Sequence, residues 1–546
     1  MSALLDIQQL SIALPAGADR SHALYDLSLQ LQAGEVLCVV GESGSGKSML
    51  ANAVLRMLPQ HLAAHGGVVR FAGQDLAALS EAQMRQRRGR DIAMVFQEPM
   101  SALNPLLTVG KQIDETLEAH GQRDRAKRQA RVLELLGYVG LPQPSQLCQR
   151  YPFELSGGQR QRVVIAMALA FAPRLLIADE PTSALDVTTQ AQILDLLKRI
   201  QRETGMAMLF ITHDFAVVQA VADRVLVLER GHLIEQGPAA QVLQAPKAAY
   251  TRRLLDAVAA TGVARPALPA NAAQVLAAQG LHKAFVRRTL LWRSRRVDAL
   301  ADVSLSLRQG ETLGVVGESG SGKSTLGRAL VRLLTPDSGT LAWQGQAVQG
   351  LSQARLRPLR QGVQMIFQDP FASLNPRQRI DQILMTGPLA HGVPVAQARQ
   401  RAERLLERVG LSAAAMARYP QEFSGGQRQR IGIARALAVQ PQVLIADECV
   451  SALDALIQVQ ILELLESLQR ELGLSIVFIT HDLRVAARLC DRIAVMKDGR
   501  VVEEGDTLRV LGQPRHAYTR ALLAALPGPP IVALPTADAP LKEPSR

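Results

Sequence analysis

The 546-residue chain is long enough for several domains with cores of their own, and 48% apolar with 20% charged residues excludes a disordered polymer. Aromatics make up only 3%, so the cores must be aliphatic. A net charge of +12 suits an anionic partner, either nucleic acid or the inner leaflet of a membrane, and composition does not choose between them. The cysteines at 38, 148, 449 and 490 form no CxxC pair. Reduced thiols, a cytosolic setting and no zinc or iron–sulfur site are expected.

Residues 3–14 alternate loosely between apolar and polar, as a strand does, and the N-terminus lacks the basic and apolar regions of a secretion signal. The apolar run 36–40 (VLCVV) then leads into GESGSGKS at 41–48, and 313–316 (LGVV) leads into the same eight letters at 317–324. A buried strand, a Gly-rich loop and a helix in that order form a phosphate-binding loop. In Gly41, Glu42, Ser43, Gly44, Ser45, Gly46, Lys47 and Ser48 the glycines let backbone N–H groups turn toward phosphate oxygens. Gly317, Glu318, Ser319, Gly320, Ser321, Gly322, Lys323 and Ser324 repeat the arrangement. The lysine neutralises β/γ charge and the final serine offers a hydroxyl to Mg²⁺.

Further along, Gln97 and Gln368 sit on Pro-flanked loops after the apolar runs 93–96 and 363–367. A neutral amide there can ligate Mg²⁺ or hold a water. Helical patterns follow, with Ala126, Ala130, Leu133 and Leu136 recurring at spacings of three and four in the first half, and 396–410 matching in the second. Each is read as a small helical subdomain inserted into an α/β core.

Next come LSGGQRQR at 155–162 and FSGGQRQR at 423–430. Ser156, Gly157, Gly158 and Gln159, like Ser424, Gly425, Gly426 and Gln427, start a helix with free N–H groups and a positive dipole, an anion site. One nucleotide needs one such cradle, so the second is expected to serve a nucleotide held by the other half. Head-to-tail pairing of the halves follows, with Lys47 facing Ser424 and Lys323 facing Ser156, and with SALD at 183–186 and 451–454 along the seam.

The apolar runs 175–180 and 443–448 end in Asp179–Glu180 and Asp447–Glu448. The first carboxylate of each pair suits Mg²⁺, and the second suits orienting and polarising an attacking water. His213 and His481 follow further strands, where a neutral imidazole can contact a γ-phosphate. The pairs Ser156/Ser424, Asp179/Asp447 and His213/His481 are all 268 residues apart, whereas Lys47/Lys323 are 276 apart. The rear of each half is therefore invariant in spacing, as a unit of fixed geometry requires.

These readings place the first domain at 1–256, a linker at 257–273, the second domain at 274–526 and a disordered Pro-rich tail at 527–546. Each domain is expected to be α/β, with a mostly parallel sheet, an antiparallel β subdomain and the helical insertion. The most hydrophobic window, 163–178, is broken by Pro173 and Arg174 and reads as a buried helix then a strand, not a membrane span. The basic insert 286–296, containing Trp292, reads as a solvated loop or as a contact for lipid headgroups or a partner.

Both halves resemble the nucleotide-binding domain of ATP-binding cassette (ABC) proteins, a P-loop NTPase fold, over almost the whole chain. The glutamine-loop sequences at 97–105 and 368–376 and the Tyr-Thr-containing tails at 235–255 and 504–523 resemble the peptide/nickel importer ATPases. The fused form is similar to the peptide, microcin C-type and glutathione importer ATPases of Gram-negative bacteria. That resemblance implies an ATP- and Mg²⁺-dependent ATPase at the cytoplasmic face of the inner membrane, docked on two permease subunits and fed by a periplasmic solute-binding protein. It also implies an aromatic on adenine: Phe285 fits in the second half, whereas the first has Leu14 at that place, leaving apolar contact or Tyr25. Cys449 stands beside Glu448 where the first half has Pro181. A soluble tandem ABC ATPase acting on ribosomes or nucleic acid is the alternative. The short, weakly charged linker is unlike the helical arm of ribosome-associated members, so no nucleic acid is expected.

Overall fold

The apolar runs before each phosphate loop and each Asp-Glu pair are interior strands of two similar six-stranded sheets. The computed structural model describes residues 3–15, 17–59, 62, 66–183, 185–259, 271–288, 294–369, 373–451 and 453–526. Most of the linker, residues 289–293 of the basic insert and the tail 527–546 lie outside them. The chain divides into two compact units, Met1–Ala259 with Asp454–Leu456, and Ala260–Leu453 with Ile457–Arg546.

Among the described residues of the first unit, the central sheet runs in the order His232–Pro238, Arg224–Glu229, Val36–Val40, Ala207–Ile211, Leu175–Asp179, Ile92–Val95. All neighbours are parallel except the antiparallel edge pair formed by the first two strands. The second unit repeats this with Val363–Ile366, Val443–Asp447, Ser475–Thr480, Thr312–Val316, Arg492–Lys497 and Arg500–Asp506. Alternate side chains of one strand leave on opposite faces. Leu175, Ile177, Leu209 and Ile211 pack with Leu27 and Leu50 on one side, while Leu176, Ala178, Met208 and Phe210 pack toward the helical side with Ile113 and Leu136. Burial on both faces is why these strands read as unbroken apolar runs.

A smaller antiparallel sheet in each unit pairs Leu5–Ala13 with His22–Leu31 and Val68–Phe71, or Gln274–Arg288 with Ser294–Arg308 and Ser338–Trp343. In the second unit the hairpin register continues from Phe285↔Val297 to Arg288↔Ser294. The flanks of the basic insert are thus paired strand, not loop.

The helical insertion forms as expected, but its first-half face is rotated. Helix Arg125–Tyr138 buries Arg128, Val132, Leu135 and Leu136, whereas Ala126, Ala130 and Leu133 face outward. A buried ion pair decides this. The Arg128 guanidinium lies 2.6 Å from Asp114 and donates to the carbonyls of Gln122 and Arg123, so a charged residue takes a core position that apolar periodicity assigns elsewhere. No helix among the described residues is long and apolar enough to cross a membrane.

Candidate functional site

Each phosphate loop joins a central strand to the helix Lys47–Val54 or Lys323–Leu330. Gly41 has φ 152°, and a Cβ there would lie 2.1 Å from the Leu228 carbonyl oxygen; Gly317 has φ 155° and meets Met496 at 2.2 Å. Only glycine lets the loop leave the sheet this close to the adjacent strand. Lys47 and Lys323 are buried, and each ammonium donates back into its own loop. Lys47 reaches the carbonyls of Gly41 at 2.7 Å and Glu42 at 2.8 Å; Lys323 reaches those of Gly317 and Glu318, both at 2.7 Å. Burial lowers the Lys47 pKa against the opposing pull of Glu180 and Asp179.

At the end of strand Leu175–Asp179, Glu180 takes φ 45°, as does Glu448 after Val443–Asp447. A left-handed glutamate is strained, and its N–H is held by the Ile211 or Ile479 carbonyl at 2.9 Å. That backbone turn sends the carboxylate to two partners. His213 Nδ1 lies 3.1 Å from one Glu180 oxygen, and the Gln97 amide donates to the other at 2.9 Å. In the second unit His481 lies 3.5 Å from Glu448 and Gln368 donates at 2.7 Å. The glutamine, glutamate and histidine picked from sequence therefore converge on one carboxylate in each unit.

Burial raises the Glu180 and Glu448 carboxyls, but the histidine hydrogen bonds and charge outweigh it and hold both below the usual range. Burial likewise opposes charge on His213 and His481, yet the glutamates raise both rings above an ordinary imidazole. Before nucleotide arrives, the glutamate thus favours the protonated ring more than a free histidine would. Because the histidine pKa values are raised, their stabilisation is complete below about 6.5 and is lost as pH climbs through the folded-state values. The lowered glutamates contribute above about 4.5 and fail as pH falls through theirs. His213→Gln with His481→Gln should therefore flatten the loss of stability of nucleotide-free protein as pH rises above about 6.5. Denaturant midpoints of variant and parent that decline with equal slope would refute the ion pair.

Asp179 and Asp447 are 6% and 2% exposed, and burial raises both carboxyls. Ser324 Oγ donates to Asp447 at 3.1 Å, and Ser48 makes the matching interaction with Asp179. Asp179 Oδ1 is buried with no hydrogen-bond partner among the described residues. A buried, unsatisfied carboxylate oxygen beside a hydroxyl fits a hard cation such as Mg²⁺. Cys449 is buried and its thiol is pushed up to about 12 by desolvation, so it stays a neutral side chain beside Glu448.

The helices Gly157–Ala168 and Gly425–Leu437 begin in capping boxes. Ser156 Oγ accepts from the Gln159 N–H at 3.3 Å, while the Gln159 side chain accepts from the Ser156 N–H at 3.1 Å; Ser424 and Gln427 do the same. The expected free donors are thus narrowed to Gly157 and Gly158, or Gly425 and Gly426, whose N–H groups have no intrahelical acceptor. Arg160 and Arg428, not singled out from sequence, anchor these helix starts by donating to the carbonyls of Pro152 and Pro420 at 2.8 and 2.7 Å.

Phe285 is 47% exposed, with Lys283 Nζ 6.0 Å from its ring centre. In the first unit Leu14 packs against the core, whereas Tyr25 is exposed between His22 and His232, with ring centres 5.1 and 5.3 Å away. Of the two first-half candidates, Tyr25 is the one with an open ring.

Two further residues reach the loops. Tyr250 and Tyr518, each at the start of a C-terminal helix, accept the N–H of Glu42 at 3.3 Å and of Glu318 at 3.1 Å. They too are 268 residues apart, the signal that marks them beside the site residues.

The ABC transporter family profile matches residues 24–183 and 300–451, and an oligopeptide/dipeptide transporter C-terminal-region profile matches 234–288 and 502–541. The chain is similar to the glutathione import ATP-binding protein GsiA of Escherichia coli O157:H7, with 47% identity over 96% of this chain and 89% of the relative. GsiA of Salmonella typhimurium is 45% identical over the same shares. Among solved structures, a dimeric post-hydrolysis state of the ATP-binding cassette MJ0796 bound to ADP and Pi aligns over 42% of this chain and 98% of its own, with 29% identity and a TM-score of 0.39. The chain belongs to the ABC transporter family. It is an ATP-binding, ATP-hydrolysing subunit of the peptide-import branch, carrying two cassettes in one polypeptide.

Proposed function

We propose that the chain hydrolyses two ATP molecules at composite sites, each uniting the phosphate loop of one half with the Ser-Gly-Gly helix start of the other. Lys47 shares a nucleotide with Ser424, and Lys323 with Ser156. The observation that carries this reading is the doubled inventory. Each unit holds a phosphate loop and, apart from it, a Ser-Gly-Gly helix start whose first two N–H groups have no intrahelical acceptor, and one nucleotide needs only one phosphate loop.

Within each site the loop residues 41–48 or 317–324 hold the phosphates. Ser48, Asp179 and Gln97, or Ser324, Asp447 and Gln368, hold Mg²⁺, which draws negative charge from the phosphate oxygens. Glu180 and Glu448 polarise the attacking water. Before nucleotide arrives, each carboxylate accepts from the glutamine at one oxygen and faces the histidine at the other, with lone pairs left for the water. Water oxygen then bonds to the γ-phosphorus as the bridging oxygen leaves with ADP, and the water proton passes to the glutamate. His213 and His481 contact the γ-phosphate, and Phe285 and Tyr25 meet adenine. Closure on ATP and opening after hydrolysis do the work.

The engine sits peripherally on the cytoplasmic face of the inner membrane and docks on two permease subunits served by a periplasmic solute-binding protein. The docking segments are 97–105 and 368–376; exposed Met100, flanked by exposed Phe96 and Leu106, supports the first. Because the relatives import glutathione, a short peptide of that kind is the first solute to test.

Composite pairing has a decisive test in the background Glu180→Gln with Glu448→Gln, which traps ATP. Lys47→Ala with Ser424→Arg damages one composite site and should retain about one ATP per chain, whereas Lys47→Ala with Ser156→Arg damages both and should retain none. The reverse pattern would mean that each half works alone.

A further inference from the structure

We propose that Tyr250 and Tyr518 are positioning residues for nucleotide binding, each bracing the first peptide of the phosphate loop from the C-terminal extension of its own unit. The inference rests on the reading of 41–48 and 317–324 as nucleotide loops, and it gives the extension a task at the site.

The contact is built twice. Tyr250 is 5% exposed and Tyr518 8%, and each phenol oxygen meets the N–H that opens the loop after its first glycine. A Tyr hydroxyl taken from water requires a hydrogen-bond partner, and in both units that partner is the phosphate loop's own N–H. The same peptide is gripped through its carbonyl: Lys47 donates to Gly41 and Lys323 to Gly317, both at 2.7 Å. The glycine before it is pressed against a neighbouring strand, so the loop entry is confined on three sides.

The brace is itself anchored. The Glu235 carboxylate accepts from the N–H groups of Lys247 and Ala248 at 2.8 and 3.1 Å, just ahead of helix Ala249–Ala259. Glu503 accepts from Arg515 and His516 at 2.8 and 3.1 Å, ahead of helix Ala517–Ala524. Each extension is therefore pinned to an edge strand at one point and to the phosphate loop at another. Apolar packing of Tyr250 and Leu254 with Val217 and Val218, in the helix that follows His213, joins it to the histidine side of the site.

A differential effect follows. Without nucleotide the Glu42 peptide has two restraints, the lysine and the tyrosine. When the lysine turns to phosphate, the tyrosine is the restraint that remains, so the hydroxyl matters more in the bound state than in the free one. Its loss weakens binding more than it weakens the fold.

The test uses the full chain with Tyr250→Phe and Tyr518→Phe, titrated with a non-hydrolysable ATP analogue plus Mg²⁺ beside the parent. The expected result is about 3–10-fold weaker affinity, the same rise in KM, and kcat within about two-fold. Unchanged affinity and KM would overturn the proposal, whether or not the unfolding temperature moves. Where affinity and unfolding temperature fall together, amide exchange decides. Faster exchange confined to Glu42 and Glu318 supports the brace, whereas uniform acceleration across the unit reduces the tyrosines to packing and overturns it. A parent chain that fails to bind the analogue would sink the phosphate-loop reading itself, and that failure is visible before any variant is read.

Discussion

Replacing Glu180 and Glu448 together by glutamine lowers ATP turnover by about 10²–10⁴-fold while leaving ATP binding intact. The exchange is nearly isosteric, so the strained backbone at φ 45° and its hydrogen bonds to Ile211 and Ile479 have no reason to move. What is lost is the negative charge that polarises water. The Gln97 and Gln368 amides keep an acceptor in the new side-chain carbonyl, but His213 and His481 lose the charge that holds their protons. A second, independent signature follows: the raised histidine pKa values should return toward that of a buried neutral ring, because burial is the largest opposing influence on each. Steady-state hydrolysis with filter-binding of ATP checks the first expectation, and NMR titration of the two rings checks the other. Turnover within a few-fold of the parent would remove both glutamates from the chemistry.

Removing the loop lysines acts earlier, on binding. Lys47→Ala with Lys323→Ala should weaken ATP by about 100-fold, because charge-assisted hydrogen bonds contribute on the order of 1.5–3 kcal/mol each and the cation is withdrawn from a buried site. The same change leaves the carbonyls of Gly41, Glu42, Gly317 and Glu318 without their lysine donors, so the free loop should loosen as well. Isothermal titration with ATP and Mg²⁺ reads the affinity. Affinity within three-fold of the parent would show that backbone donors alone hold the phosphates.

Much of this fold is legible in sequence because the central strands are buried on both faces and end in chemical punctuation. The run 175–178 stops at Asp179–Glu180, and 36–40 stops at Gly41, so motif and strand end mark each other. Periodicity is a weaker guide where charge intrudes. The stripe Ala126–Ala130–Leu133 points outward because Arg128, tied to Asp114, occupies the core instead. The basic insert misleads for a related reason: residues that look like loop by composition extend a hairpin by register, through Arg288↔Ser294.

At the site, sequence spacing identifies Gln97, Glu180 and His213 as residues of one chemical unit, but not that all three meet on a single carboxylate. That contact depends on the left-handed turn at Glu180, which no residue preference announces. The pull on the ring's proton is likewise largely tertiary: burial opposes the charge, and Glu180, 3.1 Å away, is the largest influence that raises the pKa of His213.

By itself, then, the amino-acid order determines the class of protein, the doubling and the identity of the phosphate-handling groups, because those rest on local rules: glycines for curvature, a lysine for charge, a helix start for anions. The tertiary structure alone decides which groups hold one another before nucleotide arrives. Glu180 capped by Gln97 and His213, and Tyr250 on the Glu42 peptide, are contacts between residues up to 208 positions apart. Their energies depend on burial and on distances of about 3 Å, which chain order does not carry.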